Sequence, residues 1–162
     1  MNSDKHYLLL AYKAALESPD PSTQNGAVLI SWTGKIVDAC NTFPYGVRNE
    51  PDRLVRPLKY SFIEHAERNV IFKAAQDHRF DFKDAVMYAP WFACADCARA
   101  IIQVGIRKVV GHKQIHDMTP AHWKESINCA YAMFAEAGVE TVLVDGEIGA
   151  PELLFNGGLW RP

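Results

Sequence analysis

Basic residues are few and scattered in this chain: 17 lysines and arginines stand against 19 aspartates and glutamates, a formal net charge of −2. Without a basic run, the electrostatic footprint of a protein that grips a long polynucleotide is missing, while a single nucleotide remains an acceptable ligand. Long apolar runs are missing too. No stretch approaches the ~18 residues that mark a membrane-spanning helix, so no membrane partner is expected. Met1-Asn2-Ser3-Asp4-Lys5-His6 lacks the basic region, apolar run and cleavage site of a secretory leader, which predicts a cytoplasmic protein. Cysteine is sparse, with Cys40, Cys94, Cys97 and Cys129 in 162 residues, and nothing directs the chain to an oxidising compartment. A disulfide scaffold is therefore excluded. Cys40 ends a strand-like run and Cys129 lies in a helix-like run, so both are expected as buried free thiols. Internal repeats and low-complexity segments are absent, and the length suits a single domain over residues 1–162.

What is present alternates between two periods. Residues 4–17 mix Leu8, Leu9, Leu10, Ala14, Ala15 and Leu16 with charged residues, the pattern of an amphipathic helix. It stops at the Ser18-Pro19-Asp20-Pro21 turn. Residues 27–30 and 35–40 read as two strands across a turn containing Gly34. Residues 41–60 are rich in Pro, Gly, Arg and Asn without a period, which predicts an ordered loop at an active-site wall. Helix is predicted from Phe62 to about Ala75, strand over 85–88, helix over 95–104, strand over 107–110, helix over 120–137 and strand over 141–144. That order implies right-handed crossovers with largely parallel pairing from 85 to 144. The expected product is a three-layer α/β/α fold with a five-stranded mixed sheet. The apolar segment Leu153 to Trp160 either packs on the domain or joins an interface.

Chemistry concentrates in His65-Ala66-Glu67 and, further on, Cys94-Ala95-Asp96-Cys97. Two cysteines three apart at a helix start point their thiols the same way and can grip one ion. The helix N-terminus favours the thiolates that a metal needs. His65 opens the other long helix, and two helix starts facing each other would bring all three ligands together. The count is decisive. A structural zinc is normally closed by a fourth Cys or His, whereas three ligands leave a position open for chemistry. His78, His112, His116 and His122 lack the local spacing of a ligand pair. Glu67 then stands beside the metal as an acid–base group for the protons of an attacking water.

Further candidates surround this cluster. Asn41 opens the long loop and is either a turn former or a substrate contact. Arg48, Arg53, Arg56 and Lys59 are candidate phosphate ligands, with Arg48 and Lys59 placed first. Tyr60, Tyr88, Trp91 and Phe92 are candidates for ring stacking or the pocket wall, Tyr88 being equally a core residue. His112 and His116 are expected as hydrogen-bonded loop histidines.

These motifs resemble the zinc-dependent cytidine and deoxycytidylate deaminase family. Asn25-Gly26-Ala27-Val28-Leu29-Ile30, Asn41 with Pro44, Lys59-Tyr60, His65-Ala66-Glu67-Arg68-Asn69, the run Cys97 to Ile106 and the run Ala135 to Glu140 are similar to its deoxycytidylate branch. The likeness implies zinc on His65, Cys94 and Cys97, proton transfer by Glu67, and substrate contacts at Asn41 and Ala66. It also implies a homo-oligomer, dimer or hexamer, whose subunits line each other's pockets. The implied reaction converts deoxycytidylate to deoxyuridylate and ammonia. The same chemistry on another aminated base, nucleoside or nucleotide stays open, as does a silent zinc-binding or nucleotide-sensing module. Two departures adjoin Cys94. Ala93 stands where the family has proline, and Pro90 with Trp91 and Phe92 alters the segment leading into the loop.

Overall fold

The computed structural model describes residues 3–162; Met1 and Asn2, part of the N-terminal reading above, lie outside the described residues. Five strands form one mixed sheet: β1 Gly26–Ile30, β2 Ile36–Cys40, β3 Val86–Tyr88, β4 Lys108–His112 and β5 Glu140–Val144. Their order is β2-β1-β3-β4-β5. β1 pairs antiparallel with both β2 and β3, whereas β3, β4 and β5 run parallel, as the strand–helix alternation requires.

Helix α1 (Ser3–Ala15) covers one face, and α3 (Ala66–Ala75), α4 (Ala95–Gln103) and α6 (Ala121–Ala137) cover the other. The period of two sorts the strand side chains between these layers. Val28, Tyr88 and Val110 face α1 with Leu8 and Ala11. Ala27, Leu29, Met87 and Val109 face the three-helix layer with Val70, Ile101 and Phe134. Burial on both faces accounts for the unbroken apolar runs of these strands. α1 lies so close to β1 that a Cβ at Gly26 would sit 2.0 Å from the Ala11 carbonyl oxygen. Only glycine fits there. α6 ends at Gly138, which takes the left-handed conformation (φ 69°) that closes a helix.

Three segments differ from the sequence expectation. The helix expected from Phe62 begins instead at Ala66, and Phe62 ends a short separate helix, α2 (Lys59–Phe62). Between them Glu64 pairs with Thr42 across an isolated bridge, which holds the chain extended up to His65. A periodicity cannot register that distant partner. Helix α5 (Lys113–Asp117) follows β4 where no element was expected. The apolar C-terminal segment is a hairpin, β6 (Leu153–Phe155) and β7 (Gly158–Trp160), joined by Asn156-Gly157. Both turn residues have positive φ, 49° and 82°, the tight-turn geometry that Asn-Gly favours. The hairpin packs Leu153 and Phe155 against Tyr12, Ala15 and Ile115.

The cysteine expectation also needs correction. Cys129 is exposed on α6 and Cys40 is half-buried, because the first lies off the face that α6 turns to α4 and the second ends the edge strand. All four cysteines are free. Among the described residues no helix is long and apolar enough to cross a membrane.

Candidate metal and substrate site

His65 and Cys94 occupy the same position on two helices. Each is the residue just before the first turn, with extended backbone (ψ 149° and 174°), on α3 and α4 respectively. Their carbonyls accept the first helical hydrogen bonds, from Asn69 and Ala98, both at 2.9 Å. Neither side chain caps its own helix. Such positions ordinarily carry Ser, Thr, Asp or Asn, so His and Cys here give up local capping for another role. Part of the deficit at α4 is met from α6, where Ser126 Oγ accepts the Ala95 N–H at 3.0 Å. Arg68 ties the two helix starts together, pairing with Glu64 and approaching Asp96 Oδ2 at 3.7 Å.

The side chains left over converge. His65 Nδ1 lies 3.5 Å from both Cys94 Sγ and Cys97 Sγ, and the two sulfurs are 3.6 Å apart. A tetrahedral zinc with ordinary bond lengths would set N···S near ~3.5 Å and S···S near ~3.7 Å. The donor set and its spacing fit that ion. The two cysteines are also joined by a hydrogen bond between their sulfurs. That contact, with His65, pulls the Cys94 thiol down to about 4 against the effect of burial, while Cys97 is pushed well above 9.0. Zinc binding requires both sulfurs as thiolates and so would release protons.

Glu67, in the first turn of α3, is 2% exposed, and its Oε2 has no hydrogen-bond partner among the described residues. Burial raises its carboxyl above the usual range, with the His65 imidazole opposing. An unpaired carboxylate oxygen is unfavourable in a dry interior unless it faces a polar ligand. Glu67, His65 and Cys94 all border one open cavity.

The same cavity collects residues from other segments. Asn41, Lys59, Tyr60, Ala66, Trp91 and Phe92 line it. Arg48 and Tyr88 do not. Arg48 stands in solvent, its side chain 79% exposed and 3.5 Å from Glu50. Tyr88 falls on the α1 face of β3 by strand alternation, where its hydroxyl donates to Asp4 Oδ1 at 2.8 Å. Arg53 donates to the Arg48 carbonyl and lies over the Phe62 ring. Of the candidate arginines only Arg56 borders the cavity.

Lys59 is spoken for. It is buried with its Nζ 2.7 Å from Asp20 Oδ2, and it also donates to Ser22 Oγ at 2.7 Å. Burial pushes the Asp20 carboxyl up, but Lys59 and Ser22 outweigh it, so the net shift is downward. Asn41 is similarly engaged: its Nδ2 donates to the Thr23 carbonyl at 2.8 Å and its Oδ1 accepts the Asn25 N–H at 2.8 Å. Asp20, Thr23, Trp123, Ile127 and Asn156 are lining residues that sequence reasoning missed. By pattern the Ser18-Pro19-Asp20-Pro21 segment is a helix stop and carries no further signal. Trp123, at 5.8 Å ring-centroid separation from both His65 and Trp91, lay unremarked in a helical pattern. His112 is structural, held between Tyr12 (2.7 Å) and the Gly146 carbonyl (3.1 Å).

Residues 1–113 match the family described as "Cytidine and deoxycytidylate deaminase zinc-binding region". The chain belongs to this family. The matched segment holds His65, Cys94 and Cys97, and proteins named deoxycytidylate deaminase recur among its relatives. It is 35% identical over 136 residues to a protein of Aliivibrio fischeri named "Uncharacterized deaminase in luxG 3'region", covering 84% of this chain and 89% of that one. It is 32% identical over 142 residues to deoxycytidylate deaminase of Mus musculus, covering 83% and 75%. In architecture it resembles the dCMP deaminase of cyanophage S-TIM5, with a TM-score of 0.64 at 19% identity over 88% of this chain and 97% of that one.

Proposed function

We propose that this deaminase hydrolyses deoxycytidylate to deoxyuridylate and ammonia. The observation that carries the reading is the unpaired, buried Glu67 Oε2 beside a three-donor zinc cluster at the wall of an open cavity. Three donors leave a coordination position for chemistry. A zinc ion held by His65, Cys94 and Cys97 would supply a nucleophile at neutral pH by lowering the pKa of water.

Glu67 Oε2 is the group that accepts a proton from the attacking water. Its carboxyl passes that proton to the ring nitrogen and then carries the water's second proton, from the hydroxyl now on the ring carbon, to the amine, which departs as ammonia as the C–N bond breaks. Trp91, Phe92, Trp123 and Ile127 supply flat apolar walls against which a pyrimidine ring can lie, and they exclude water from the reacting carbon. Arg56, exposed at the cavity mouth, forms no ion pair among the described residues and supplies a cation for a phosphate. The identity to the mouse deoxycytidylate deaminase supports the same substrate.

Free cysteines suit a cytoplasmic location. Exposed Tyr45, Val55 and Leu58 on the loop beside the cavity support a homo-oligomer, which light scattering on the purified protein would size. An ammonia-release screen over free bases, nucleosides and monophosphates tests the function, with Glu67→Ala as the blank. Deoxycytidylate is expected to turn over fastest. Equal rates from cytidine-type nucleosides and their monophosphates would defeat the nucleotide assignment.

A further inference from the structure

The matched zinc-binding region ends at residue 113, yet the cavity does not: Asn156, at the tip of the β6–β7 hairpin, lines it. The tip is fastened to the loop that carries Asp20. Gly157 N–H donates to the Ser22 carbonyl at 2.7 Å, and Asn156 N–H donates to Thr23 Oγ1 at 3.1 Å. One residue-pair further, Gln24 and Leu154 exchange bonds of 2.8 and 2.9 Å. Ser22 is the hub of this rim, since its hydroxyl also accepts from Lys59 Nζ (2.7 Å) and from Arg56 Nη2 (3.4 Å). The hairpin tip, Arg56 and the buried Lys59–Asp20 pair are thus one hydrogen-bonded unit. The bonds that hold Asn156 use only its backbone, and no partner engages its side-chain amide among the described residues.

Resting on the nucleotide reading above, we propose that the C-terminal hairpin completes the substrate site, and that the Asn156 amide donates to the phosphate of a nucleoside monophosphate beside Arg56. Lys59 is neutralised by Asp20, which leaves Arg56 as the rim's net cation and leaves phosphate oxygens in need of further donors. A side chain fixed on a two-residue turn with four backbone anchors supplies such a donor with little ordering entropy to lose. Asn156 is therefore a specificity residue, acting on which substrate is held rather than on the proton transfers at Glu67.

The turn itself also favours asparagine, so the test must separate the amide from the turn. Asn156→Gly keeps the turn, because glycine adopts positive φ freely, and removes only the amide. Asn156→Asp keeps size and turn but sets a negative charge beside the phosphate. The readout is kcat/KM for deoxycytidylate against deoxycytidine on the zinc-loaded protein, with dUMP affinity from calorimetry. Asn156→Gly is expected to lower the monophosphate-over-nucleoside ratio by roughly 10-fold and Asn156→Asp by more, with the change in KM and in dUMP affinity. A wild-type preference for the monophosphate that both variants retain would overturn the inference alone. Equal losses on both substrates would also overturn it, by making Asn156 a structural residue. A wild-type protein without any preference would overturn the nucleotide reading and the inference with it.

Discussion

The interior and the mouth of the cavity are assembled in opposite ways. In the interior, His65, Glu67, Cys94 and Cys97 all belong to the first turns of two helices, and each motif lies within four consecutive residues. At the mouth, Asp20 and Thr23, Arg56 and Lys59, and Asn156 come from three segments far apart in the chain, joined by hydrogen bonds through Ser22 and Thr23. A helix start places side chains at fixed spacing whatever surrounds it. A rim of loops places them only once distant backbone has been brought together. The interior should therefore answer to the chemistry of single residues, and the mouth to the integrity of a network.

Removing a donor from the interior should have the largest effect. Cys97→Ala is expected to retain no zinc through dialysis and to release no measurable ammonia, with metal content read by elemental analysis. Glu67→Gln comes next. It should keep zinc while kcat falls on the order of 10²–10⁴-fold, so a variant of normal rate would break the comparison at its interior half.

At the mouth, Lys59→Met leaves the buried Asp20 carboxylate without its cation, held only by hydrogen bonds such as those from Ser22 and Thr23, and the expected loss is about 3 kcal/mol of unfolding free energy in denaturant titrations. The pH dependence has a definite sign. Asp20 in the folded protein titrates below its ordinary 3.8, so the pair stabilises above that pH and is lost as pH falls through the folded value. The gap between wild type and Lys59→Met should accordingly narrow in acid. A gap constant down to the acid limit would show that Asp20 is not the linked group.

Arg56→Ala should raise KM for a monophosphate by about 10-fold with little change in kcat, whereas Arg48→Ala should change neither by more than about twofold. Reversal of that order would move the phosphate to the outer part of the loop. Smallest of all, Tyr88→Phe should reduce stability by about 1 kcal/mol through the lost bond to Asp4 and leave KM untouched.

The residues show why some of this was readable in advance. The strand runs around Val28, Met87 and Val109 are buried on both faces, so their apolar character survives any change of neighbour and marks the sheet directly. The cluster of His65, Cys94 and Cys97 was legible in part, the cysteines by their spacing at one helix start and His65 by its place at another. Tyr88 was not, because an aromatic residue one step along a strand changes face, and the face depends on the pairing of β3 with β1 and β4. Lys59 was legible as a cation near the site, but its neutralisation by Asp20 was not, the two being 39 residues apart. A local pattern places Phe62 in the wrong helix because the bridge from Glu64 to Thr42 is invisible to it.

By itself the sequence determined the α/β class, the helix starts that carry His65 and the cysteine pair, and the three-residue His/Cys cluster they form. These are local properties, set by side-chain period and by residue spacing within a turn. Only the tertiary structure decided that Arg56 rather than Arg48 meets the cavity, that Lys59 spends its charge on Asp20, and that a hairpin at residues 153–160 closes the rim with Asn156. Each of these depends on hydrogen bonds between segments remote in the chain, and a bond of that kind exists only after the fold has brought its two ends together.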